Sequence, residues 1–312
     1  MQLGVYLDHQ CYHRYFKASL REYQKEIMSS HNLITLPLGA LDVVGYSVAG
    51  EETAIAVPGL DVCFDIGKAP EQLLSINNLL VTHSHMDHVA GIAYYCSQRD
   101  FRDMAAATVL IPKQLAPMLD ELLDLWGRFD GTRPPVNIIP VEHDSEIELR
   151  RNLYAVPFKT YHTKDSLGYT IIDRRYKLKD KYLQYPGHEI AKMRKEGIAI
   201  TNVQDVPLVS CVGDTGVGDF MKLDRVNQSE ILITECTFFE EDHHSRAKAG
   251  KHLHIDQLVK WLENVTAKHI VLVHISRRTH IGQARKMLRK SLPKDIYERI
   301  SILMHKQPAP KG

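Results

Sequence analysis

Apolar positions along this chain gather into short runs, most of them only four to six residues long. Residues 43–48, 54–57 and 62–66 have strand character and are separated by turn signals such as Pro58-Gly59. Further strands are predicted at 79–82, 108–111, 136–141, 154–160, 168–173, 209–212, 231–235 and 270–274. Helical spacing marks 88–99, 115–128, 255–265 and 282–290, together with a mixed-charge stretch at 15–28. Strand-rich halves with helices interspersed indicate an α/β protein whose sheets pack between helices. No repeat, low-complexity tract or linker interrupts the pattern. One domain over 41–312 is expected, carrying a peripheral insertion at about 173–203. Residues 1–40 are expected to be a helical extension docked on it.

Composition narrows the classes. A chain of 312 residues with 44% hydrophobic content can bury a substantial core. The net charge of +1 gives no global basic field, so any polyanion site must come from local clustering. The five cysteines, Cys11, Cys63, Cys96, Cys211 and Cys236, are scattered without close metal-type spacing. They read as reduced thiols of a cytoplasmic protein. No apolar stretch approaches the ~20 residues needed to cross a membrane. Asp8, His9, Arg14 and Lys17 precede any apolar core, which argues against a secretory signal.

Chemistry concentrates in "THSHMDH", from Thr82 to His88, directly after the apolar run Leu79-Leu80-Val81. Positions two apart in extended chain face the same side, so His83 and His85 can reach one metal. Asp87 and His88 open a helix and point at a neighbouring position. The spacing thus suggests two metals. His162, Asp214 and His274 also each follow an apolar strand. A lone histidine at a strand end is usually an ordinary polar residue, so the weight rests on the set. Open α/β sheets collect ligands beyond the carboxyl ends of their strands. If the strands share an orientation, His83, His85 and His162 hold one metal. Asp87, His88 and His274 hold the other, and Asp214 bridges them. Imidazoles and carboxylates without thiolate suit zinc in a hydrolytic site. Asp65 either orients a ligand histidine or caps the turn before Gly67.

In order, "FDIG", "THSHMDHVAG", "FKTYH", "GDT" and "VHISRRT" resemble the metallo-β-lactamase superfamily, and within it the ribonuclease Z family. The resemblance runs from about Val43 to the C-terminal strand. It implies an αββα four-layer sandwich, two zinc ions per subunit (or manganese in their place), a homodimer, and precursor tRNA as substrate. "ITECTF" resembles the family's glutamate-bearing loop, which gives Glu235 that role. "KHLHIDQ" resembles its histidine loop, which places the general acid at His252. "HISRRT" assigns a metal ligand to His274 and a phosphate-side arginine to Arg278. Asp87 is expected to take a proton from the attacking water as well as bind metal. The short, plant-like form is most similar, particularly around "RYKLKDKYLQYPGHEI".

Arg174, Arg175, Lys177, Lys179, Lys181, Lys192, Arg194 and Lys195 crowd the interval between His162 and Asp214. Charge runs are usually solvated helix faces. In the family this interval carries the tRNA-binding arm, where phosphate contacts position RNA without reading its bases. Tyr176, Tyr182 and Tyr185 add stacking or pack the arm. Two departures stand out: the proline-basic-asparagine motif of many bacterial members is not evident at 67–75, and His254 stands where the family often has threonine. A small-molecule phosphodiesterase, or another hydrolase of the same fold, is the competing expectation. The basic arm and the Glu235/His252 pair argue against it. A degenerate interaction module is disfavoured because every expected ligand is present.

Overall fold

The computed structural model describes residues 33–304, so the helical stretch expected at 15–28 and Cys11 lie outside it. Two seven-stranded sheets share one plan. In the first, β1 (Ile34–Leu38), β2 (Leu41–Val48), β3 (Glu52–Val57) and β4 (Val62–Ile66) pair antiparallel. Strands β5 (Asn78–Leu80), β6 (Ala107–Pro112) and β7 (Val136–Val141) then continue parallel to β4. In the second sheet, β8 (Ile147–Arg150), β9 (Leu153–Lys159), β10 (Leu167–Leu178) and β11 (Thr201–Cys211) are antiparallel. Strands β12 (Ile231–Glu235), β13 (His269–Val273) and β14 (Ile300–Ile302) follow in parallel.

Burial follows position in the sheet. Strands β3 and β4 are buried at every residue, so their sequences, ETAIAV and VCFDI, read as continuous runs without alternation. The edge strand β8 alternates half-buried and exposed residues. Between the sheets, Ile55, Phe64 and Leu80 interlock with Tyr169, Ile171, Val209, Ile233 and Val271. The Tyr169 hydroxyl crosses this layer to donate to the Val81 carbonyl at 2.7 Å. Helices Ile255–Leu262 and Ile281–Ser291 cover the second sheet with Leu258, Trp261, Ala284 and Leu288. Helices Ile92–Phe101 and Ala116–Asp130 bury Tyr95, Cys96, Leu119 and Leu123 on the first. Each fully buried large side chain here contributes about 1.5–3 kcal/mol. The result is the expected αββα sandwich.

Three local expectations change. The helix expected at 88–99 is two helices, Met86–Val89 and Ile92–Phe101, broken at Gly91. A Cβ at Gly91 would lie 2.4 Å from the Ala69 backbone nitrogen, so only glycine permits this approach. The compact unit begins at Ile34, because Ile34–Leu38 pairs with β2 and is not part of an extension. Strands β10 and β11 run well past their apolar portions into the basic insertion, as a hairpin paired from Tyr169/Cys211 out to Leu178/Thr201. Backbone ladder bonds extend these strands where hydrophobicity has already ended.

Candidate active site

Strand ends deliver the polar residues to one place. His83, His85, Asp87 and His88 follow β5; His162 follows β9; Asp214 follows β11; and His274 follows β13. The turn before Asp214 depends on Gly213, whose φ of 62° is left-handed. An added Cβ there would come 2.9 Å from the Thr82 side chain. His274 adopts φ 54° and is held by a backbone bond to Ser47 Oγ at 2.9 Å.

All seven residues expected to bind metal come together. One group is His83, His85, His162 and Asp214, and another is Asp87, His88 and His274. Asp214 Oδ2 lies 3.1 Å from His274 Nε2, 3.3 Å from His88 Nε2, 3.8 Å from His83 Nε2 and 3.9 Å from His162 Nε2. This carboxylate therefore faces both groups. Asp87 Oδ2 accepts from the Gly50 N–H at 2.9 Å and lies 3.5 Å from His274 Nε2. No cysteine joins a metal-type group among the described residues. The four described cysteines are buried thiols, and burial pushes Cys96 up to about 12.

The outer hydrogen bonds fix the tautomers. Thr82 Oγ1 donates to Asp65 Oδ2 at 2.7 Å and accepts from His83 Nδ1 at 2.9 Å. His88 Nδ1 donates to the same Asp65 oxygen at 2.7 Å. On the opposite side, Thr237 Oγ1 donates to Glu235 Oε2 at 2.6 Å and accepts from His274 Nδ1 at 2.9 Å. His252 Nδ1 donates to Glu235 Oε1 at 2.8 Å. Each buried carboxylate thus holds one histidine directly and another through a threonine. With Nδ1 protonated, Nε2 of His83, His88 and His274 is left bare. These three atoms and Asp214 Oδ1 are buried without a hydrogen-bond partner. Buried polar atoms are normally satisfied, and four such atoms gathered at the Asp214 carboxylate fit a cationic metal. Burial also drives His83 and His162 toward the neutral form a metal requires. Of the two sequence alternatives for Asp65, the side-chain contacts favour orienting His88.

Glu235 is fully buried and accepts from five donors: Thr215 N, Thr237 N, Thr237 Oγ1, Leu253 N and His252 Nδ1. Burial alone would lower the His252 pKa, but the Glu235 carboxylate outweighs it and raises the value to about 9. The His252 ring stacks over His274 with centroids 5.1 Å apart and lies 4.6 Å from that of His162. Arg278 is exposed, three residues beyond the buried Ile275. Its neighbour Arg277 pairs with Glu51.

The sequence did not flag Thr82 or Thr237. A single threonine carries no periodic signal, although both lie inside the motifs quoted above. Replacing Thr237 with Val removes the hydroxyl while keeping the shape, and losing a contact that orients a metal-binding histidine costs about 10–100-fold in metal affinity or activity. Thr237→Val is expected to fall in that range, with Thr237→Ser recovering most of the loss. Zinc competition with a chelator measures it.

In the basic insertion, Arg174 is engaged within the protein. Its guanidinium is bound by Asp205 at 2.8 Å and Glu146 at 2.8 Å and lies over the Tyr154 ring. It braces the root of the hairpin. Arg175 pairs with Asp173 at 2.7 Å, and Lys179 Nζ donates to the Ala199 carbonyl. Lys177, Lys181, Lys192, Arg194 and Lys195 are exposed, the last three on the helix Gly187–Lys195. That helix buries none of its residues.

Taken together, the paired sheets and the histidine-aspartate centre at their strand ends define a metallo-β-lactamase-fold protein. The structure is similar to the metallo-β-lactamase-fold protein YhfI of Bacillus subtilis, with a TM-score of 0.59 at 13% identity, covering 84% of this chain and 94% of that one. It is also similar to human tRNase Z, short form, with a TM-score of 0.56 at 15% identity, covering 84% and 95%. The chain belongs to the ribonuclease Z (tRNase Z) family. It is 30% identical to tRNase Z TRZ1 of Arabidopsis thaliana over 266 residues, covering 84% of this chain and 94% of that protein. It is 31% identical to the chloroplastic tRNase Z TRZ2 of the same plant over 274 residues, covering 86% and 77%. A family profile described as anti-Pycsar protein Apyc1 matches residues 57–196.

Proposed function

We propose that the protein is a zinc-dependent endoribonuclease that removes the 3′ trailer from precursor tRNA. It would leave a 3′-hydroxyl on the tRNA and a 5′-phosphate on the trailer. The observation that carries this reading is the buried Glu235 bonded to His252 at 2.8 Å, beside a centre with two groups of metal-type ligands. Hydrolysis of an activated ester or lactone has no need of such a general acid.

His83, His85 and His162 would hold one zinc, Asp87, His88 and His274 the other, and Asp214 both. Such a pair supplies a water acidified toward ~7 and a clamp on the phosphate oxygens. Asp87, oriented by the Gly50 N–H, accepts a proton from the attacking water. His252 protonates the departing 3′ oxygen, and Glu235 holds its imidazole in the donating form. Arg278 forks onto the phosphate charge. The decisive assay compares cleavage of a labelled precursor tRNA with hydrolysis of bis(p-nitrophenyl) phosphate. A protein that turns over only the small ester would be the competing phosphodiesterase.

The hairpin arm serves binding. Its exposed cations sit far out on a paired ribbon, and Arg174 stabilises the root. Lys192, Arg194 and Lys195 each contribute one phosphate contact on this reading. Replacing all three with Ala is expected to flatten the plot of log affinity against log salt by about 0.9 per lost duplex contact. Fluorescence anisotropy at graded salt tests this, and an unchanged slope would put tRNA elsewhere. Deleting 175–195 should abolish precursor-tRNA cleavage and spare the small ester.

A homodimer is supported by a second apolar stripe on the helix Ala116–Asp130, where Met118, Leu122, Leu125, Trp126 and Phe129 are exposed beside Tyr94. Monomers rarely leave such a patch bare, and a two-fold pair would cover it with its own copy. Among the described residues, no helix is long and apolar enough to cross a membrane. We place the enzyme in the cytoplasm on the reduced-thiol composition.

A further inference from the structure

We propose that His244, His254 and Asp256 form a separate zinc site, apart from the central ligands, at the foot of the loop that carries His252. Asp256 Oδ2 lies 3.1 Å from His244 Nε2 and 3.2 Å from His254 Nδ1. Ligand atoms around a tetrahedral zinc with bonds of about 2.0–2.1 Å lie roughly 3.3 Å apart, so both edges already have the required length. All three ligand atoms fall within 4.8 Å of one another.

Hydrogen bonds orient the His254 ring. Its Nε2 donates to the Glu240 carbonyl at 3.0 Å, an oxygen that can only accept. Its Nδ1 accepts the Asp256 backbone N–H at a long 3.3 Å, as the cap of the helix Ile255–Leu262. The same Nδ1 lies 3.2 Å from Asp256 Oδ2, and an ion bound here would take its lone pair in place of that capping bond. A backbone carbonyl that fixes the remote nitrogen is the usual outer contact of a zinc-bound histidine. This ring is only 2% exposed, so its aim is set by packing. The His244 ring lies against it, with centroids 3.7 Å apart and tilted by 34°. His244 and Asp256 are exposed and can close around an ion that the buried ring already faces. The remaining coordination position would fall to water. Two histidines and a single carboxylate without thiolate suit zinc better than calcium or magnesium.

Such a site has a mechanical consequence. His244 begins the helix His244–Gly250, and Asp256 lies in the first turn of Ile255–Leu262. The chain between them carries His252, whose N–H donates to the Ala247 carbonyl at 2.9 Å. An ion joining the two helix starts would staple both ends of that loop. The zinc site stands on its own contacts; its effect on turnover rests on His252 as the proposed acid.

The full-length protein is equilibrated with graded free Zn²⁺, and bound metal is counted for the wild type, His244→Ala and Asp256→Asn. Both substitutions are at exposed positions, so folding is not at stake. The wild type should bind one equivalent more than either variant, or hold it at least ~10-fold more tightly. Because the comparison is between variants, the count at the central cluster does not enter. In the wild type alone, zinc should also slow amide exchange across 251–254. Equal uptake by all three proteins would overturn the site and leave a plain His244–Asp256 ion pair. Extra uptake without added protection at 251–254 would overturn the staple.

Discussion

Asp214→Ala is expected to empty both central metal positions together and to abolish turnover of every substrate. Asp214 Oδ2 is within 3.9 Å of Nε2 on four histidines drawn from both ligand groups, and no other carboxylate among the described residues has that reach. His83→Ala and His274→Ala each remove a ligand from one group only and should each leave one position loaded. Losing a direct ligand should cost more than the ~10–100-fold that outer-shell losses do. Zinc measured after gel filtration separates the cases. If Asp214→Ala kept one zinc at full occupancy, it would belong to one group, and the bridge would have to be water alone. The bare Nε2 atoms explain why the pattern should be all or nothing. Without the Asp214 carboxylate, Asp87 is left beside His274 Nε2 at 3.5 Å and His88 Nε2 at 3.7 Å, and a single carboxylate among three buried imidazole nitrogens disfavours a second cation nearby.

How much of this site could be read in the sequence depended on where each residue's signal lies. The seven central residues each follow an apolar run, and strand ends meet on one side of a sheet, so local pattern and topology agreed. The αββα layers were legible for the same reason: central strands such as VCFDI are buried throughout. The outer contacts were not legible. Thr82 and Thr237 matter only through atoms brought to them by distant loops. Arg174 looked like one cation of a basic run, but its partners are Asp205, 31 positions away, and Glu146, 28 positions away. Charge counting cannot see pairings made across a sheet. Strand β1 and the outer reach of β10 and β11 were missed because they are short or polar. Neighbouring backbone, not a hydrophobic face, holds them in register.

His252→Ala is expected to keep the full zinc complement and near-normal affinity for precursor tRNA while losing ~10²–10⁴-fold in turnover, the usual contribution of a general acid. The loss should shrink sharply on bis(p-nitrophenyl) phosphate, whose leaving phenolate departs without a proton. Geometry makes this a real contest. His252 also lies within 4.8 Å of Asp214 and His274 in a metal-type group, so a direct ligand role is the competing assignment. The hydrogen bonds favour the acid. Nδ1 is committed to Glu235, a buried carboxylate already held by four other donors, and that pairing stabilises the protonated ring a proton donor needs. A metal ligand needs the opposite, a neutral ring. Glu235→Gln should therefore repeat the His252→Ala pattern in milder form. The double variant should fall short of the product of the two losses, because the pair acts as one unit. Single-turnover cleavage of both substrates, with zinc quantified in each variant, decides between the roles. A His252→Ala protein that loses zinc, or that slows on the activated ester as much as on tRNA, would make His252 a ligand, and the proton for the leaving oxygen would have to come from water.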